Sequence, residues 1–197
     1  SRVQLKVENG TRWLTVPVRR NVKQAIKDVR IDQSKDWKSS HLGILHHAYR
    51  NAQFIDLAMS LVESIYIYDG DSLSEFCIFG IEKIADFLGL NSKFIRSSSY
   101  SFETSSSQKL LDIVRVEQGD SYITGHGAKN YLDHELFESY GVNVEYIDYI
   151  LRDYPQLHGE FTPYVSIVDL IANIGEQASD YINFKTINWR EFVNESI

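Results

Sequence analysis

The sequence has 197 residues, 43% of them hydrophobic and 13% aromatic, which is enough to bury a proper core and excludes a disordered chain. A formal charge of −7 with no basic run argues against nucleic-acid binding, and no apolar run approaches the ~18 residues that a membrane span needs. The one cysteine, Cys77, excludes an internal disulfide framework and fits a reducing cytosol, so a cytoplasmic location is expected.

The chain begins at Ser1 already in strand-like alternation, as a fragment or processed product would. Val3, Leu5 and Val7 alternate, Glu8-Asn9-Gly10 supplies turn chemistry, and Trp13–Val16 resumes as a strand, so the spacing predicts a β-hairpin that Pro17 ends. A short edge strand is expected within Ala25–Ile31. Helical spacing then places Trp37, Ile44, Leu45, Ala48 and Tyr49 on one face, followed by Ile55, Ala58, Met59, Val62 and Ile65 on another. Ser72 and Glu75 read as a capping box for a third helix. Its stripe of Phe76, Cys77, Gly80, Ile81, Ile84 and Leu88 ends at Gly89. Cys77 on that stripe reads as core packing.

From Lys93 the pattern becomes strand–helix–strand. Phe94–Arg96 is a predicted strand, Ser105 with Gln108 caps a helix closed by Gly119, and Tyr122-Ile123 is the next strand. Asp133 starts a helix that Gly141 stops, and Val144–Ile147 is the last strand. Two helical crossovers between three strands predict parallel pairing. The expected fold is α/β: a three-layer, mostly parallel sheet with flanking helices, half of a doubly wound fold, plus the N-terminal β-hairpin. It is read as a single domain over 1–197, with hairpin and helices in 1–92, a βαβαβ unit in 93–150, and a loop with C-terminal helices in 151–197. In the last part Ser166 is the expected N-cap and Gly175 the stop of a helix, while Phe184, Ile187, Trp189 and Phe192 anchor a docked tail.

The run SYITGHGAKNYLD, Ser121–Asp133, is the most informative stretch. Ligands of open α/β sheets gather where a strand ends and a loop begins, and glycines let backbone N–H groups approach an anion. Gly125, Gly127 and Lys129 are therefore candidate phosphate contacts, with Asn130 and Tyr131 as polar partners of a sugar or nucleotide. The bland alternative is a tight connection needing positive φ. Arg96 points to the same sheet edge, and Tyr154 and Gln156 sit in a Pro-flanked turn with side chains suited to a polar ligand. These segments are expected to border the principal cavity. Asp169 suits a general base, yet three residues after Ser166 it is equally a capping-box partner. The six histidines form no i, i+4 pair, and HExxH, CxxC, GxGxxG and GxSxG are absent, so neither a metal nor a cofactor is expected.

Three stretches together resemble the WbqC-like family: WLTVP at Trp13–Pro17, Arg96 leading to TGHGAKNYLD at Thr124–Asp133, and YPQ at Tyr154–Gln156 followed by SIVDLIANIG at Ser166–Gly175. A helix with Trp37, His41 and Tyr49 accompanies them, and the similarity runs from Arg2 to about Gly175. Family members begin earlier, with an apolar strand and a proline- and aromatic-rich segment, so the resemblance implies N-terminal truncation here. His126 stands at a variable family position, often proline, and is not expected to be indispensable. The resemblance implies association with bacterial surface-polysaccharide (O-antigen) gene clusters. It further implies transfer of glycine, or a similar acyl group, to a nucleotide-linked amino sugar. The alternative is a non-catalytic module that binds a nucleotide sugar or a partner enzyme of the same pathway.

Overall fold

The first strand, β1 (Arg2–Val7), turns through Glu8-Asn9 into β2 (Gly10–Thr15), antiparallel from Arg2 opposite Thr15 to Val7 opposite Gly10. Gly10 takes φ +113°, a turn geometry that a side chain resists. The computed structural model describes residues 2–19 and 24–194, which divide into two compact units, Ser1–Ser92 with Leu151–Tyr181 and Lys93–Ile150 with Ile182–Ile197.

In the first unit Pro17 interrupts the ladder, and β3 (Val18–Arg19) pairs antiparallel with β4 (Arg30–Ile31), the edge strand expected within Ala25–Ile31. Helix α1 (Trp37–Tyr49) starts at Asp36, whose carboxylate accepts the Ser39 N–H at 3.2 Å. Helices α2 (Ile55–Tyr66) and α3 (Leu73–Phe87) follow. Ser72 caps α3 by accepting from Glu75 N–H, and Gly89 at φ +68° ends it. A Cβ on Gly80 of α3 would meet Ile65 of α2 at 3.3 Å, so the missing side chain lets the two helices approach closely. Cys77 is exposed, a correction to its expected place on the buried stripe: the buried positions of α3 are Leu73, Phe76, Gly80 and Ala85, and no neighbouring element covers residue 77 although it shares their helical row.

Helix α6 (Ile167–Ile174) packs on α2, with Leu170, Ile171, Ala172 and Ile174 buried. Phe54 N–H donates to Ala172 C=O at 2.9 Å. Trp37 and His41 of α1, Tyr66 of α2 and Phe76 of α3 pack as an aromatic group, with ring centroids 5.2–6.1 Å apart.

The second unit centres on a three-stranded sheet in the order β5 (Ser121–Thr124), β6 (Asn143–Tyr149), β7 (Phe184–Asn188). Strands β5 and β6 are parallel, joined through α5 (His134–Ser139), whereas β7 is antiparallel to β6. Val144 and Tyr146 of β6 point inward and pack with Leu111 of α4 (Ser106–Val116), Ala128, Leu132, Phe137 and Val142. Trp189 and Phe192 of α7 (Trp189–Asn194) close over this core.

Helices and strands are mixed as expected, but parallel pairing is confined to β5 and β6. Phe94–Arg96 forms no strand: the segment is exposed and finds no ladder partner. It is held by polar contacts instead, with Lys93 Nζ on the Glu117 carboxylate at 2.9 Å and the Tyr100 hydroxyl donating to the same group at 2.5 Å. Ser105 likewise makes no side-chain cap, since Gln108 turns its amide to Asp112 at 2.8 Å. The tail expected to dock does so partly as strand β7, which the sequence pattern alone did not reveal.

Candidate functional site

The residues singled out by sequence fall in both units. In the second, β5 ends at Thr124 and the chain enters a 3-10 turn over His126–Asn130. Gly125 is extended, at φ −86° and ψ 164°, and neither it nor Gly127 occupies the left-handed region, so positive φ is not what selects glycine here. Space is open where a Cβ on either would stand, which leaves the peptide edges approachable. Buried Ala128 pins the turn to the core, while the His126 ring donates from Nε2 to Ile147 C=O at 2.8 Å and lies 4.7 Å from Phe192. Lys129 Nζ reaches Val193 C=O at 3.5 Å, and Asn130 and Tyr131 are exposed. Arg96 is exposed too. It precedes a 3-10 turn, where its carbonyl accepts from Ser99, and does not end a strand.

In the first unit, Asp169, Tyr154 and Gln156 meet in a buried polar cluster. Asp169 is 0% exposed on α6. Its Oδ1 accepts from the Tyr154 hydroxyl at 2.7 Å, from Gln156 Nε2 at 2.7 Å and from Asn173 Nδ2 at 3.5 Å. Burial and the carboxylate beside it push the Tyr154 phenol well above its ordinary range. Asp169 is thus no capping-box partner: the Ser166 N–H that such a box would use donates to Gln4 C=O at 2.7 Å, and Ser166 Oγ accepts from Val168 N–H.

Three members of the cluster escaped sequence reasoning. Lys6, only 3% exposed, donates from Nζ to Gln156 Oε1 at 2.8 Å, to Gly159 C=O at 3.3 Å and to Glu160 C=O. Asn173 donates to the Asp169 carbonyl at 2.7 Å. This i, i+4 pair of polar residues in an otherwise apolar helix is a signal that was available. Tyr49 closes the cluster from α1. Its hydroxyl and Asp169 Oδ2 are both sealed from solvent, and neither has a partner at hydrogen-bond geometry among the described residues. They lie near enough that the carboxylate, added to burial, drives the Tyr49 phenol pKa strongly upward.

The chemistry of this cluster is that of a carboxylate with one oxygen held by two strong donors and the Tyr49 hydroxyl close by. A cleft of about 570 Å³ in the same unit lies between the hairpin and α1, and none of the candidate ligand-binding or catalytic residues lines it. Among the described residues no three His, Cys, Asp or Glu side chains gather as a metal site, and no helix is long and apolar enough to cross a membrane.

The model of the WbqC-like protein family matches residues 1–181, and the chain belongs to that family. It is 29% identical over 188 residues to the uncharacterized protein Rv1507c of Mycobacterium tuberculosis, covering 93% of this chain and 81% of that protein. No solved structure matches.

Proposed function

We propose that this chain is a transferase that moves an aminoacyl group such as glycine, or a similar acyl group, onto the amine of a nucleotide-linked amino sugar during bacterial surface-polysaccharide biosynthesis. The amine nitrogen attacks the activated carbonyl, the new N–C bond forms, the bond to the donor's leaving group breaks, and the amine proton passes to a base. Asp169 is the proposed base. The observation that carries the reading is its carboxylate, with Oδ1 fixed by Tyr154 and Gln156 at 2.7 Å and the Tyr49 hydroxyl close by. In the second unit Gly125, Gly127, Lys129, Asn130, Tyr131 and Arg96 are the proposed ligand contacts, with the open space beside both glycines in support. Membership of the WbqC-like family supports the pathway.

A second reading is a non-catalytic module that binds a nucleotide sugar or a partner enzyme of that pathway. One observation favours it: Asp169 is 0% exposed, so as the structure stands its carboxylate is an anchor for Tyr154 and Gln156. Incubating the protein with an activated glycyl or acyl donor and a nucleotide-linked amino sugar separates the two readings. Transfer gives the acylated sugar by mass spectrometry and loses it in Asp169→Asn. Absence of product across donors leaves the binding module.

A further inference from the structure

The cleft between the β1–β2 hairpin and α1 is built for an anion. Its volume of about 570 Å³ falls within the range of small-molecule sites. Two guanidiniums, Arg12 on β2 and Arg50 just past α1, line it together with His47 and His158, against the single carboxylate of Glu8. The chain as a whole carries −7, so two guanidiniums beside a single carboxylate run against the composition. Elsewhere in the chain Arg19 pairs with Asp32 and Arg190 with Glu138. Among the described residues neither Arg12 nor Arg50 has an ion pair or a side-chain hydrogen bond.

Two further features shape the cleft. Gly43 sits in the interior of α1, where glycine is unfavourable, yet a Cβ there would meet nothing within 4 Å. Close packing therefore does not explain it, whereas its place on the cleft wall does: the bare backbone keeps that wall open to a ligand. His158, which also lines the cleft, adopts φ +66°, a left-handed geometry uncommon outside glycine. Its Nε2 donates to Ala48 C=O at 2.7 Å, and the adjoining Gly159 and Glu160 carbonyls are held by buried Lys6. The polar cluster thus fixes the loop that presents His158 to the cleft.

We infer that this cleft binds a phosphorylated small molecule, with Arg12 and Arg50 engaging its phosphate oxygens. Guanidinium forks match phosphate geometry in a way that an ammonium does not. The site shares no residue with those on which the acyl-transfer reading rests, and it stands if that reading falls.

The test is calorimetric titration of the full chain with inorganic pyrophosphate at low ionic strength. Arg12→Gln and Arg50→Gln, both at exposed positions, are expected to weaken binding at least tenfold each, while Lys27→Gln on an exposed turn leaves it unchanged. Gly43→Leu is the steric arm: it is expected to keep or raise the melting temperature, because leucine favours helix, and to abolish binding. No binding by the native chain, undiminished binding in both arginine variants, or an equal loss in Lys27→Gln would overturn the site.

Discussion

Lys6 and Asp169, at opposite ends of the first unit in sequence, are joined through one side-chain amide. Gln156 Oε1 accepts from Lys6 Nζ at 2.8 Å, and its Nε2 donates to Asp169 Oδ1 at 2.7 Å. Both side chains are buried, and the amide presents the right dipole to each, beside the Gly159 and Glu160 carbonyls on Lys6 and the Tyr154 hydroxyl on Asp169.

Removing the carboxylate therefore does more than delete one contact. Asp169→Ala leaves the Tyr154 hydroxyl and the Gln156 amide without their acceptor and Lys6 without a compensating charge. A loss of about 3–5 kcal/mol is expected in urea unfolding, against about 1 kcal/mol for an average substitution. Stability within 1 kcal/mol of the native chain contradicts the cluster's role.

Lys6→Met keeps the packing of the aliphatic stem and removes the three hydrogen bonds to Gln156, Gly159 and Glu160. The expected result is local as well as global: amides of residues 156–162 exchange at least tenfold faster with deuterium, while those of α3 keep their native rates at conditions far from unfolding. Unchanged exchange in 156–162 means that Lys6 does not hold the loop.

Gly175 and Gly89 both stand at positive φ just past helices, at +70° and +68°, with Gly175 at ψ −138°. A Cβ on Gly175 would stand 2.6 Å from the Phe54 ring, whereas one on Gly89 meets nothing within 4 Å. Gly89→Ala is expected to cost about 1 kcal/mol, the conformational penalty alone. Gly175→Ala should cost about 2–4 kcal/mol, because overpacking adds to it. Equal losses in chemical denaturation contradict the close approach of Phe54.

Acid sensitivity follows from His41. Its Nε2 donates to Thr15 C=O and its Nδ1 accepts from the Tyr66 hydroxyl, both at 3.1 Å, which is the neutral tautomer. Burial lowers its pKa below the usual 6.5, with the Thr15 bond opposing, and burial lowers that of His134 in the same direction. A histidine whose folded pKa is depressed contributes stability above the unfolded value and loses it as pH falls through the folded one. The melting temperature should therefore hold above about pH 6.5 and fall below it. That fall precedes the carboxylate window near pH 4 and below, where Asp36 and Glu138 lose their hydrogen bonds. His41→Gln with His134→Gln should flatten the first fall, and retention of the native slope in the double variant contradicts the assignment.

How far the sequence could be read depended on the distance over which each feature is determined. The Glu8-Asn9-Gly10 turn, the Ser72 cap, the stops at Gly89, Gly141 and Gly175 and the Asp133 start of α5 are local, and each lies where its chemistry places it. Phe94-Ile95-Arg96 and Phe184–Asn188 show the limit. Both carry strand-forming residues, but only the second finds an edge, that of β6, and pairing cannot be read from propensity. At the candidate site Tyr154, Gln156 and Asp169 were legible as polar residues in a turn and on an apolar helix. Lys6 was not, because its alternation with Leu5 and Val7 marks it as solvent-facing. The acceptors that bury it come from the loop around Gly159, far along the chain.

The central claim, that the chain takes a nucleotide-linked amino sugar, is tested most directly by thermal shift against a panel of nucleotide sugars. A ligand that binds only the folded state at one hundred times its Kd adds about 2.7 kcal/mol of stability, which raises the melting temperature by several degrees. The account predicts such a rise with a nucleotide-linked amino sugar, reduced in Lys129→Ala. A flat response to every nucleotide sugar would contradict it.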